Sequence, residues 1–93
     1  MFSYDLSNKL KTIISTLVKK DKPHTEQLHK KIKEVISRDN QTIEFYKNLR
    51  NPMQEYKRVQ IGHFVLTFKV FKEKNFVLFD DFDHHDNIYK KKI

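Results

Sequence analysis

Near the C-terminal end of the sequence stands Asp83-His84-His85-Asp86-Asn87-Ile88-Tyr89, directly after two alternating stretches, His63-Phe-Val-Leu-Thr-Phe-Lys-Val-Phe71 and Phe76-Val-Leu-Phe79. Two adjacent imidazoles and a phenol at the end of a strand can pass protons near neutral pH, where histidine titrates. Lys and Arg number 19 against 12 Asp and Glu, a net charge of +7, so the field around the chain attracts anions. Together these features point to proton transfer on a polyanion, and nucleic acid is the commonest one. A lysine-rich background serving solubility is the plainer reading of the same charge.

The composition narrows the chemistry further. Without a cysteine, the chain has no disulfide staple, zinc–thiolate site or cysteine nucleophile, which fits a reducing cytoplasm. Met1-Phe-Ser-Tyr-Asp-Leu6 lacks the basic start and long apolar run of a signal peptide, and no stretch reaches the ~18 apolar residues of a membrane span. Ninety-three residues support one core, so residues 1–93 are expected to form a single domain. One glycine and two prolines leave little room for flexible linkers.

The elements that must position the histidines follow from periodicity. Phe2, Tyr4 and Leu6 alternate as in a short strand, and Ser7 stands where a helix N-cap belongs. Leu10, Ile13, Ile14, Leu17 and Val18 keep helical spacing, with Lys19 and Lys20 at the end that favours cations. Asp21-Lys22-Pro23 breaks this helix and starts another, capped by Asp21 or Lys22, whose stripe is Leu28, Ile32, Val35 and Ile36. Thr42 to Glu55 loses periodicity and reads as an ordered loop anchored by Phe45 and Leu49. Val59 and Ile61, then Phe64, Leu66, Phe68 and Val70, then Phe76 to Phe79, form an antiparallel meander with turns at Gly62 and at Lys72–Asn75. The expected fold is α+β: an N-terminal strand and an antiparallel helical hairpin packed on a small antiparallel sheet. The open face would carry Arg58, Gln60, His63 and Lys69.

Over nearly its whole length this order resembles the RelE/ParE superfamily of toxin–antitoxin ribonucleases. Leu6-Ser7 followed by Leu10, Ile14 and Leu17 is similar to the family's strand-to-helix opening, and Tyr46-Lys-Asn-Leu-Arg50 to its basic loop before the sheet. Tyr56-Lys-Arg-Val-Gln-Ile-Gly62 and the next strand match its central hairpin; His84 and Tyr89 match its frequent C-terminal histidine and tyrosine, and the ending is similar to an archaeal branch of RelE-like proteins. Two positions depart from the pattern: Val65 and His85 stand where many members carry arginine.

The resemblance implies a toxin that cleaves mRNA at the ribosome and is held in check by an acidic, amphipathic antitoxin. No cofactor and no membrane partner are expected. RNA needs no metal for such cleavage, since the 2′-hydroxyl can attack the adjacent phosphate. A base must take its proton, an acid must protonate the leaving oxygen, and cations must hold the phosphorane. His84 and His85 are the candidates for proton transfer, with His84 matching the family histidine and His85 replacing a cation. Arg58, Lys57 and Lys69 are candidates for stabilising phosphate. Tyr89 would stack on a base or share a proton, and Lys47, Arg50 and Lys90 would contact the backbone. The plainer readings are that Lys57 and Arg58 border the sheet, Tyr89 pins the tail and Lys90-Lys-Lys92 is a solvated tail. Two rivals remain open. Asp81, Asp83 and His85 share an extended face and would suit a divalent cation. Otherwise the chain is a non-enzymatic or weakened module that binds RNA, the ribosome or gyrase under an antitoxin's control, a reading that Val65 favours.

Overall fold

The computed structural model describes residues 1–90, the last two through their backbone only. The side-chain roles expected of Tyr89 and Lys90, and the tail beyond, lie outside the described residues. The order is β1 (Ser3–Leu6), α1 (Asn8–Lys20), α2 (Lys22–Ile36), a 3₁₀ turn at Thr42–Phe45, β2 (Lys57–Ile61), β3 (Phe64–Phe71), a second 3₁₀ turn at Lys72–Lys74, β4 (Phe76–His84) and α3 (His85–Lys90). No described helix is long and apolar enough to cross a membrane.

The sheet runs β1-β4-β3-β2. The meander is antiparallel as its alternation implies, but β1 joins β4 in parallel, so the sheet is mixed rather than antiparallel throughout. The helical hairpin between β1 and the meander provides the crossover that such a parallel pair requires. Gly62 makes the β2–β3 turn at φ 61°, a conformation an L side chain disfavours.

Both helix starts are capped as their sequences suggest. Ser7 Oγ accepts from Leu10 N at 3.0 Å, and the Asp21 carboxylate accepts from His24 N at 3.2 Å, which settles Asp21 as the second cap. The core lies between hairpin and sheet, with Leu10, Leu28, Ile32 and Val35 facing Ile61, Leu66, Phe68, Val77, Phe79 and Phe82. Val18, assigned to the apolar stripe, is exposed instead. The loop after α2 also differs from expectation. Its 3₁₀ turn buries Ile43 and Tyr46 and leaves Phe45 70% exposed, so Ile43, Tyr46 and Leu49 are the anchors.

A small second cluster covers the opposite face: Leu49, Val65 and Ile88, flanked by Met53 and Tyr56. Ile88 docks α3 there. The strand that precedes α3 is irregular, because the β3–β4 register shifts between Thr67, paired with Asp81, and Phe68, paired with Phe79. One extra residue therefore sits in β4 at Asp80. It bends the strand and moves every later side chain to the other face. The start of α1 holds this bulge: Ser7 Oγ donates to the Asp80 carbonyl at 2.6 Å, and Lys9 Nζ pairs with the buried Asp81 carboxylate at 3.0 Å.

Candidate nucleic-acid interface

On the face away from the hairpin, a cleft of about 410 Å³ is lined by Lys47, Asn48, Arg50, Arg58 and His85. Three segments build it. The loop 47–50 is tied along the start of β2 by Arg58 N donating to Lys47 O at 2.9 Å and Leu49 N donating to Tyr56 O at 2.8 Å. β2 contributes Arg58. The first residue of α3 contributes His85, whose backbone N–H donates to His63 O at 2.9 Å and so ties the strand end to the β2–β3 turn. Asp86 Oδ1 lies 3.3 Å from His85 Nδ1 and orients the ring. Lys47 and Arg50 are exposed and Arg58 is half-buried, and among the described residues none of the three forms an ion pair.

His84 is not part of this cleft. Its ring meets Phe64 edge-on at 5.9 Å and stacks on His63 at 6.3 Å, on the side of the sheet that carries Phe82 and the helices. The Asp86 N–H points at its Nδ1 from 3.3 Å. Strand alternation forbids both histidines facing one site in a straight strand, and the two indeed diverge. The preference for His84 over His85 thus finds no support in its position: His85 is the imidazole beside the cations.

Lys57 does not line the cleft either: it is buried, and its three ammonium donors are taken by internal hydrogen bonds. It cannot reach a phosphate without breaking them. Lys69 lies over the rings of Tyr56 and Phe71 and pairs with Glu55 at 3.6 Å, outside the cleft. Gln60 is exposed as expected, but His63 sits in the turn and belongs to the His84 side. Val65, the departure from the arginine pattern, is fully buried beneath Leu49 and Ile88. The cation rival is also not assembled: Asp81 is buried against Lys9, His85 has left the strand, and among the described residues no three acidic or histidine side chains gather as a metal site.

Two contributors went unread in the sequence. Asn48 lines the cleft, and its only signal was its place inside the basic loop. Asp86 orients His85 simply as its neighbour, a pairing visible once the chain turns into a helix there.

No family model matches the chain. Curated relatives do. It is 43% identical, over 93 residues, to a protein of Methanocaldococcus jannaschii described as "Putative toxin RelE4", covering 99% of this chain and 95% of that protein. It is 37% identical over 90 residues to an uncharacterized protein of Methanosarcina mazei, covering 96% of this chain and all of the other. Among solved structures, the isolated E. coli RelE toxin superposes with a TM-score of 0.65 at 19% identity over the full length of both chains. The E. coli RelE mutant in complex with an antitoxin RelB peptide superposes with a TM-score of 0.66 at 24% identity, over 99% of this chain and 94% of that one. The fold is thus that of a RelE toxin. The chain belongs to the RelE toxin family.

Proposed function

We propose that this chain is the toxin of a toxin–antitoxin pair and an endoribonuclease that cuts mRNA on the ribosome in the cytoplasm. The observation that carries the reading is the cleft itself, which gathers Lys47, Arg50 and Arg58 around an imidazole oriented by a carboxylate. Lys47 and Arg50 hold the RNA backbone, and Arg58 stabilises charge on the scissile phosphate, since a guanidinium can bind two phosphate oxygens at once. His85 takes the proton of the attacking 2′-hydroxyl, and the imidazolium so formed, or solvent, supplies the proton that the leaving 5′-oxygen needs. The electrons of the 2′-oxygen form the new bond to phosphorus as the bond to the 5′-oxygen breaks. The products are a cyclic phosphate and a 5′-hydroxyl, and no metal is required. Tyr89 remains the candidate for base stacking, and Lys90 for backbone contact.

The partner proposed is an acidic, amphipathic antitoxin that folds as it binds, as a RelB peptide accompanies RelE in the related complex. A second reading rests on Val65. At a position where many members carry arginine, an apolar residue is sealed under α3, which favours a weakened nuclease or a non-enzymatic module that blocks the ribosome or gyrase.

The test is incubation of the purified chain with translating ribosomes, followed by mapping of RNA ends with and without chelator. The expected result is new 5′-hydroxyl ends at a rate chelator does not change, with a DNA copy of the message left intact. Translation arrest without new ends would replace the nuclease by the binding module.

A further inference from the structure

Lys57 is the most buried basic side chain among the described residues, and its surroundings assign it work of a different kind from phosphate binding. Its side chain is 6% exposed. The ammonium has three donors, and each is used: Glu44 Oε1 at 3.1 Å, the Tyr46 carbonyl at 3.0 Å and Asn48 Oδ1 at 3.1 Å. All three acceptors belong to residues 44–48, the segment leading into the loop that carries Lys47 and Arg50. Asn48 also bridges Lys57 through the backbone, and its Nδ2 donates to Gln54 O at 2.8 Å, closing the loop on itself. Glu44 is fixed from its other side by Lys72 at 2.6 Å, which ties the network to the β3–β4 turn. These two lysines hold the Glu44 carboxyl below the usual range, Lys72 more than Lys57, so it remains the anionic counterpart of the buried ammonium.

We propose that Lys57 is a positioning residue, which fixes the loop 44–50 against β2 and thereby sets Lys47 and Arg50 on the wall of the cleft. The proposal rests on the nuclease reading for its effect on cleavage, but its structural part stands on the hydrogen bonds alone. A flexible lysine would be a poor choice for a phosphate contact from this depth. As a three-way donor to one short segment it is well placed to remove that segment's freedom, which is what catalytic geometry needs of a loop.

The experiment compares Lys57→Met with the unaltered chain by amide hydrogen exchange and by cleavage. The amides of Leu49 and Arg58, whose bonds join the loop to β2, should exchange at least ~10-fold faster while those of β3 stay protected. Cleavage should fall about 10²-fold. In a Lys47→Ala, Arg50→Ala background, adding Lys57→Met should change cleavage by less than ~2-fold, because the residues it positions are gone. Unchanged exchange with a full additional loss in that background would make Lys57 a direct RNA contact and overturn the proposal. Unchanged exchange with unchanged cleavage would overturn it as well. If Lys57→Met does not fold, Glu44→Gln removes the anionic acceptor alone and should speed the same two amides, and a failure to do so counts against the role equally. An inactive unaltered chain would sink the nuclease reading, and the exchange comparison would still decide whether Lys57 holds the loop.

Discussion

At the residue scale, the cleft separates two histidines adjacent in sequence, and their replacements should fail differently. His85→Gln should lower single-turnover cleavage by ~10²–10⁴-fold, the usual cost of losing an acid or base, with RNA binding held within a few-fold. His84→Gln should cost far less, because its ring packs on His63 and Phe64. Equal losses from both would mean that the strand end rearranges when RNA binds. A separate pair contributes to acid stability. The Tyr46 hydroxyl donates to Glu34, and that hydrogen bond, more than Lys31 or Arg38, holds the Glu34 carboxyl below the ordinary glutamate range. A lowered carboxyl pKa adds stability above the unfolded value of about 4.3, and this is lost as pH falls through the lower folded value. Tyr46→Phe should therefore cost about 1 kcal/mol at pH 7, discounted because the Glu34 side chain is 38% exposed, and less at pH 3. Urea titrations at the two pH values measure it, and an equal loss at both would mean that Tyr46 stabilises through packing alone.

At the scale of elements, the β4 bulge decides which histidine serves the cleft. Counting by twos from Val77 and Phe79, which face the helices, a straight strand would put Asp81 on the core side and leave His84 on the cleft side. The extra residue at Asp80 reverses this, so Phe82 and His84 fall on the helix side and His85 opens α3 at the cleft. The sequence held a trace of it, since Phe79 and Phe82 are three apart rather than two, but spacing alone cannot tell a bulge from the end of a strand. Lys57 was more legible. It alternates with Val59 and Ile61, whose side chains point to the core, so its inward course could be read from parity. The helical hairpin and meander were legible because apolar periodicity is long there. The loop 42–56 was not, because a 3₁₀ turn and side-chain bonds, rather than periodicity, set its course. Ser7 links two elements, as the N-cap of α1 and the donor to the bulged Asp80 carbonyl. Ser7→Ala should cost about 1–2 kcal/mol, near the upper end for a cap, because it also leaves that carbonyl unpaired. Its cleavage rate should drop by more than the folded fraction explains, whereas a loss that tracks folding alone would show that the bulge holds without Ser7.

At the scale of the whole molecule, the net charge of +7 has two parts with different reach. Lys19 and Lys20 close α1 far along the chain from the cleft, whereas Lys47, Arg50 and Arg58 meet around one cavity. At physiological salt the Debye length is about 8 Å, so under the nuclease reading lysines farther than that from the cleft would steer an approaching RNA but be screened from it once bound. Cations that touch phosphate release counterions, and each adds about 0.7 to the slope of log affinity against log salt for a single strand. Arg58→Ala should thus weaken binding by ~10–100-fold and flatten the salt slope by about 0.7. Lys19→Ala with Lys20→Ala should slow association at low salt and leave the slope near its original value. Fluorescence anisotropy with a labelled RNA strand between 50 and 300 mM salt gives both numbers, with a DNA strand as control. The DNA strand should show a similar slope, because phosphate contacts do not distinguish the two sugars, yet it should survive, because cleavage requires the 2′-hydroxyl. A slope that drops for the lysine pair and stays constant for Arg58→Ala would move the RNA path from the cleft to the helical hairpin.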